Sequence, residues 1–101
     1  YAASKGAVAQ MTRVMALDHA KDNIRVNCVC PGDIDTPMLA SGIAMRGLSH
    51  EEGLKLITGN IPMGRVAQPE EIARAVVFLL SDDAAFMTGA MLSVDGGSTA
   101  A

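Results

Sequence analysis

Positive charge, cysteine and long apolar runs are all scarce in this sequence. Eight lysines and arginines face eleven aspartates and glutamates, for a net charge of −3 with 19% charged residues. No basic field draws such a chain to nucleic acid or to an anionic membrane. No apolar stretch approaches the roughly 20 residues that cross a bilayer, and the first residues lack the basic and apolar regions of a secretory signal. A cytoplasmic chain with neither membrane nor nucleic acid as partner is expected. The two cysteines, Cys28 and Cys30, lie in an alternating apolar stretch and read as small core thiols in a reducing compartment. No metal site is expected: the C-x-C has no second pair, His19 and His50 have no ligand-spaced partner, and Asp33 and Asp35 lack a third ligand. There is no initiator methionine, no internal repeat and no low-complexity segment.

What is present is apolar and helical. Half of the 101 residues are apolar, which suits one core in one domain over residues 1–101. Val8, Met11 and Met15, with Val14 and Leu17 beside them, recur at helical spacing over residues 1–21, and "KDN" closes the run with a basic turn and a stopping asparagine. "IRVNCVC" alternates Ile24, Val26, Cys28 and Cys30 against Arg25, Asn27 and Val29, which predicts a strand over 24–30 ending at Pro31 and Gly32. Residues 33–68 are punctuated by glycine and read as a mobile excursion with one or two short helices, "SHEEGLKLI" among them. "PEEIARAVVFLLS" puts proline at a first helical position and two glutamates in the first turn, predicting a helix over 69–81. A turn and a short strand from Met91 to Val94 lead to a glycine pair.

Helix, strand, excursion, helix, strand is the order of an α/β fold with two parallel strands joined by a crossover. Parallel sheets are covered on both faces, so the pattern is that of the back part of a larger domain. Ligands of such sheets bind beyond the carboxyl ends of the strands, which makes "CPGDIDTPM" a suspect loop.

The opening "YAASKGA" carries the chemistry. Tyr1 and Lys5 stand four residues apart, on one helical face, where a phenol oxygen and an ammonium group are neighbours. A free tyrosine titrates near 10, and acid–base work near neutrality needs a drop of about three pH units, roughly 4 kcal/mol. A cation about 4 Å away at an effective dielectric of 20 contributes about that much. Burial opposes it, so help is needed from a helix N-terminus or a bound cation such as an oxidised nicotinamide ring. The small residues around Lys5, with glycine inside a helix, imply close approach by another helix or a ligand. Taken alone, a pair at this spacing is more often decoration on a structural helix.

With "YAASK" opening a helix, "RVNCVCPGDIDTPM" after it, "GRVAQPEEIARAVVFLLSD" further on and "TGAMLSVDGG" last, the chain resembles the short-chain dehydrogenase/reductase family. The four segments keep the family's order and cover all but residues 39–62. The resemblance implies the C-terminal part of a Rossmann-like, doubly wound parallel sheet in three α/β/α layers, without its N-terminal dinucleotide-binding half. It implies an oxidoreductase that uses NAD or NADP and moves a hydride between the nicotinamide and an alcohol or ketone. By the same resemblance Tyr1 is the acid–base and also touches the cofactor, and Lys5 lowers the phenol's pKa and binds the nicotinamide ribose. The P-G-x-I-x-T pattern gives cofactor contacts to Pro31, Gly32, the backbone of Ile34 and the hydroxyl of Thr36. Residues at about 37–64 would be a mobile substrate loop, with Met38, Leu39, Ile43, Met45 and Leu48 either shaping an apolar pocket or packing a short helix. A homotetramer is implied, since helix 1–21 has more apolar surface than one sheet face requires. The family's glycine-rich turn, strand asparagine motif and catalytic serine have no counterpart in these residues. Two other readings stay open: an epimerase or dehydratase of the extended branch, which the compact "VDGG" ending disfavours, and a catalytically silent nucleotide-binding or scaffold relative.

Overall fold

The structure is a computed structural model in which residues 2–100 are described. Its contacts divide the chain into two compact units, one formed by residues up to 30 with 75–92, the other by residues 31–74 with 93 onward.

In the first unit, helix α1 runs Ala2–His19 and tightens into a 3-10 turn at Ala20–Asp22. It stops at Asn23, whose φ of 59° is left-handed. Asparagine tolerates that conformation better than most side chains, so "KDN" ends the helix as its sequence predicts. Ala16 and Thr12 are buried, and the Thr12 hydroxyl is satisfied by the Val8 carbonyl at 2.8 Å. Val8, Met11, Val14, Met15 and Leu17 remain 40–80% exposed.

The strand predicted over 24–30 is shorter and shifted: β1 spans Cys28–Pro31. Residues 24–27 are tied to residues 87–90 largely through side chains. The Val26 amide donates to Thr88 Oγ1 at 3.1 Å, Asn27 donates to the Met87 carbonyl at 3.0 Å, and Asn27 Oδ1 accepts the Ala90 amide at 3.0 Å. A ladder needs a run of backbone partners; here there is one such bond, from the Gly89 amide to the Val26 carbonyl at 2.7 Å, and a threonine and an asparagine supply the rest. Arg25 donates to three carbonyls, those of Leu79 at 2.7 Å, Ser81 at 3.2 Å and Met87 at 3.3 Å. The first two belong to the last turn of helix α4 (Pro69–Leu80) and the residue after it, carbonyls that a helix leaves without partners.

Strand β2 is Met91–Val94, as its sequence predicts, and pairs with β1 in a two-stranded sheet among the described residues. The Cys28 amide donates to Ala90 at 2.9 Å and the Gly32 amide to Val94 at 3.1 Å. Both chains advance together along this pairing, so the strands are parallel. With helices α2 (Pro37–Met45) and α3 (His50–Thr58) between β1 and α4, the molecule is α/β.

The second unit holds α2 and α3, the two short helices of the glycine-punctuated stretch. Thr36 caps α2, and Ser49 caps α3 by accepting the Glu52 amide at 3.1 Å, with Glu52 reaching back to the Ser49 hydroxyl at 3.0 Å. The two helices approach where Gly53 meets the buried side chain of Ile43; a Cβ at 53 would overlap Ile43 Cγ2. The turn after β2 packs on residues 61–63: the Met63 amide donates to Gly96 at 3.0 Å, and a Cβ on Gly96, whose φ is 62°, would stand 2.8 Å from Ile61 Cγ2.

The described fold buries little. Its core residues are Ala16, Ile43, Ile61, Leu79 and Ala84. The accessible surface is 7252 Å², against about 5,400 Å² for a folded monomer of this mass. Apolar faces of α1 and α4 are left in water, Val77 and Leu80 among them. Residues 1–101 expressed alone should therefore show no cooperative melt by circular dichroism or calorimetry; a sharp two-state transition would contradict this.

Candidate functional site

Of the residues that the sequence marks out, Pro31, Gly32, Ile34 and Thr36 fall on one short segment that leaves β1 and enters α2. Lys5 is exposed on α1, in the other unit. Tyr1 lies outside the described residues.

Two flanks hold the segment. On one, Gly32 lies against Asp95 at the end of β2: a Cβ on Gly32 would stand 2.9 Å from the Asp95 Cα and Cβ. Backbone cannot move aside as a side-chain tip does, so only glycine fits. Asp95 is fixed in turn, accepting from the Gly97 amide at 3.0 Å and from the Thr99 hydroxyl and amide at 2.6 and 3.2 Å. The Thr99 hydroxyl foremost, then the Gly97 amide, lower its pKa. On the other flank, Ile34 forms an isolated parallel bridge with Ala67. The bonds run from the Asp35 amide to the Ala67 carbonyl at 2.8 Å and from the Ala67 amide to the Asp33 carbonyl at 2.9 Å. In a parallel bridge of this kind the central residue's own N–H and C=O are directed away from the partner. The peptide groups of Ile34 thus face the side opposite Ala67.

Thr36 Oγ1 accepts the Leu39 amide at 3.4 Å and caps α2. A hydroxyl that accepts still has its own proton to donate. The segment consequently offers an outward peptide group and a hydroxyl donor two residues apart, a combination that matches the acceptor and donor of a carboxamide. The residues present fit a nicotinamide carboxamide on this count.

The stretch "GRVAQPEE", a segment of the family resemblance whose two glutamates were assigned to the helix dipole, also forms a side-chain cluster. Arg65 grips Glu71 with both nitrogens, Nη1 to Oε1 at 2.7 Å and Nη2 to Oε2 at 2.9 Å, while Glu71 Oε1 also accepts the Gln68 amide at 2.9 Å. The Arg65 hydrogen bonds foremost, then the Gln68 amide, hold the Glu71 carboxyl down to about 2. Gln68 Nε2 donates to Asp35 Oδ2 at 3.4 Å. A cavity of about 80 Å³ lies here, lined by Asp33, Ile61, Met63, Arg65, Glu71 and Asp95 among others. It has room for a few waters, well below the roughly 300 Å³ of small-molecule sites. Among the described residues no three His, Cys, Asp or Glu side chains are grouped to hold a metal ion, and no helix is long and apolar enough to cross a membrane.

Open α/β sheets bind their ligands beyond the carboxyl ends of the strands, and the segment leaving β1 stands at such an end. Comparison with known proteins narrows the class. The family model described as enoyl-(acyl carrier protein) reductase matches residues 1–99, and the chain belongs to the short-chain dehydrogenase/reductase family. It is 47% identical over 100 residues to a meso-2,3-butanediol dehydrogenase of Serratia marcescens, and 45% identical over 100 residues to 2-(S)-hydroxypropyl-CoM dehydrogenase 3 of Xanthobacter autotrophicus. Both matches cover 99% of this chain and respectively 37% and 39% of the relative's length. A crystal structure of a short-chain dehydrogenase family protein from Francisella tularensis superposes with a TM-score of 0.92 at 48% identity, over 100% of this chain and 43% of that one. The chain thus spans about two-fifths of these relatives.

Proposed function

We propose that the protein carrying this chain is an NAD- or NADP-dependent oxidoreductase acting on a small alcohol or ketone in the cytoplasm. Membership of a family whose relatives here are named dehydrogenases supports the general class. The single observation that carries the cofactor assignment is the segment 31–36, with the Ile34 peptide turned outward and the Thr36 hydroxyl beside it. The oxidised nicotinamide supplies the hydride acceptor. Tyr1, as phenolate, takes the hydroxyl proton as the alcohol carbon loses hydride, and as phenol returns it in the reverse direction. Lys5 would favour the phenolate by its charge and would hold the ribose hydroxyls of the cofactor. Pro31 and Gly32 would line the nicotinamide site, and the Ile34 backbone and Thr36 hydroxyl would hold the carboxamide.

The relatives' names, a butanediol and a hydroxypropyl dehydrogenase, point to a secondary alcohol carbon as the site of oxidation. Helices α2 and α3, within residues 37–64, are assigned to the substrate loop, where the exposed thioethers of Met38 and Met45 suit an adaptable apolar wall. A homotetramer would cover the apolar faces of α1 and α4, a symmetric contact placing each face twice in one interface.

In the whole protein, Thr36→Val should weaken dinucleotide binding by about 0.5–1.5 kcal/mol, the usual net worth of a neutral hydrogen bond, and Thr36→Ser should restore it. Titration calorimetry with NAD and NADP measures this. Equal affinity for wild type and Thr36→Val would leave the segment a structural turn only.

A further inference from the structure

We propose that Glu71 is a positioning residue for the nicotinamide: from the first turn of α4 its carboxylate staples both sides of Ala67, and Ala67 in turn holds the Ile34 peptide facing outward. This rests on the reading of segment 31–36 given above.

The bridge between Ile34 and Ala67 is isolated. Its two bonds, from the Asp35 amide to Ala67 and from the Ala67 amide to Asp33, have no flanking ladder to share the ordering of the chain, whose backbone entropy is about 1–2 kcal/mol per residue fixed. Residues 61–68 form no helix or named strand, so something else must keep Ala67 in register. Glu71 grips the chain at two points around it. Two residues before Ala67, Arg65 is held through both guanidinium nitrogens, at 2.7 and 2.9 Å. One residue after it, the Gln68 amide is held at 2.9 Å. Glu71 stands at the third helical position, Pro69 being the first, so its bond to the Gln68 amide is the reach-back half of a capping box. The helix start and the staple share one carboxylate. Gln68 extends the hold to the cofactor segment through its amide nitrogen and Asp35 Oδ2. Paired exposed charges usually contribute little; here the forked geometry matters for where it puts the chain. With Glu71 neutralised, the second guanidinium nitrogen loses its acceptor, and the fork that fixes residues 65–68 is broken.

The test uses the whole protein with Glu71→Gln, which keeps shape and one acceptor oxygen, and Arg65→Met, which breaks the staple from the other side should the first variant fail to fold. The first readout needs no ligand: hydrogen exchange at the Asp35 and Ala67 amides, with Met15 in α1 as internal reference. The second compares two ligands, the dinucleotide that the protein accepts and the matching ADP-ribose, which lacks the nicotinamide. Exchange at Asp35 and Ala67 is expected to accelerate about tenfold relative to Met15, a change of about 1.4 kcal/mol in local opening. Dinucleotide affinity should fall about five- to tenfold while ADP-ribose affinity stays within about twofold, since a general loss of stability would move both ligands alike. Unchanged exchange, or equal weakening of both ligands, overturns the positioning role. If the wild type binds the dinucleotide no better than ADP-ribose, the reading of segment 31–36 falls and the proposal with it; faster exchange with an unchanged ligand ratio overturns the positioning role alone.

Discussion

Tyr1→Phe in the whole protein is expected to lower turnover by at least about a hundredfold, the lower end for loss of an acid–base group, while dinucleotide affinity changes little. The ring stays and only the phenolic oxygen goes, so packing is conserved and the loss reads as chemistry. Oxidation of an alcohol must deliver its hydroxyl proton as its carbon gives up hydride, and Tyr1 is the residue proposed to take it. The pH profile sharpens the test. If the phenol titrates in the working range because Lys5 and the bound cofactor favour its charged form, the wild-type rate of alcohol oxidation rises with pH through that value. In Tyr1→Phe that limb should vanish and leave a flat residual rate. Retained turnover with the limb intact would assign the proton to another residue. Unchanged dinucleotide binding beside lost turnover would separate an inactive variant from a misfolded one.

How much of this was legible beforehand depended on the range of each interaction. The end of α1 at Asn23 and the first turn of α4 at Pro69, Glu70 and Glu71 follow from preferences within a few residues, and there sequence and structure agree. The start of β1 does not. Alternation in "IRVNCVC" records which side chains share a face, but it cannot tell a backbone ladder from bonds supplied by Thr88 and Asn27, 62 and 60 residues from their partners. Glu71 shows the same limit at shorter range. Its place near a helix N-terminus is visible, whereas its fork with Arg65 spans six residues across a turn and has no helical spacing to announce it. The P-G-x-I-x-T pattern of segment 31–36 was readable because it is local. The reason Gly32 must be glycine was not, since Asp95 is 63 positions away.

Arg25 is the residue whose weight sequence reasoning least foresaw, and Arg25→Met should cost about 2–3 kcal/mol of stability in the whole protein. Methionine preserves the length and apolar stem of the side chain. The guanidinium is lost, and with it the donors to Leu79, Ser81 and Met87. Hydrogen bonds from a charged donor contribute about 1.5–3 kcal/mol each, but three on one group are not additive. Water can reach part of this half-buried cluster, which keeps the total below their sum. The same cation also faces the negative end of α4, so its removal acts on the helix terminus as well as on the segment leading into β1. Arg25→Lys retains the charge as a single compact head that cannot span three carbonyls in a fixed fork, and it should recover less than half of the loss. Urea unfolding measures both variants: the midpoint shifts while the slope, set by the surface exposed, stays as in wild type. A loss below about 0.5 kcal/mol for Arg25→Met, the scale of an ordinary surface substitution, would mean that the α4 carbonyls are satisfied by water and that the three bonds add nothing to the fold.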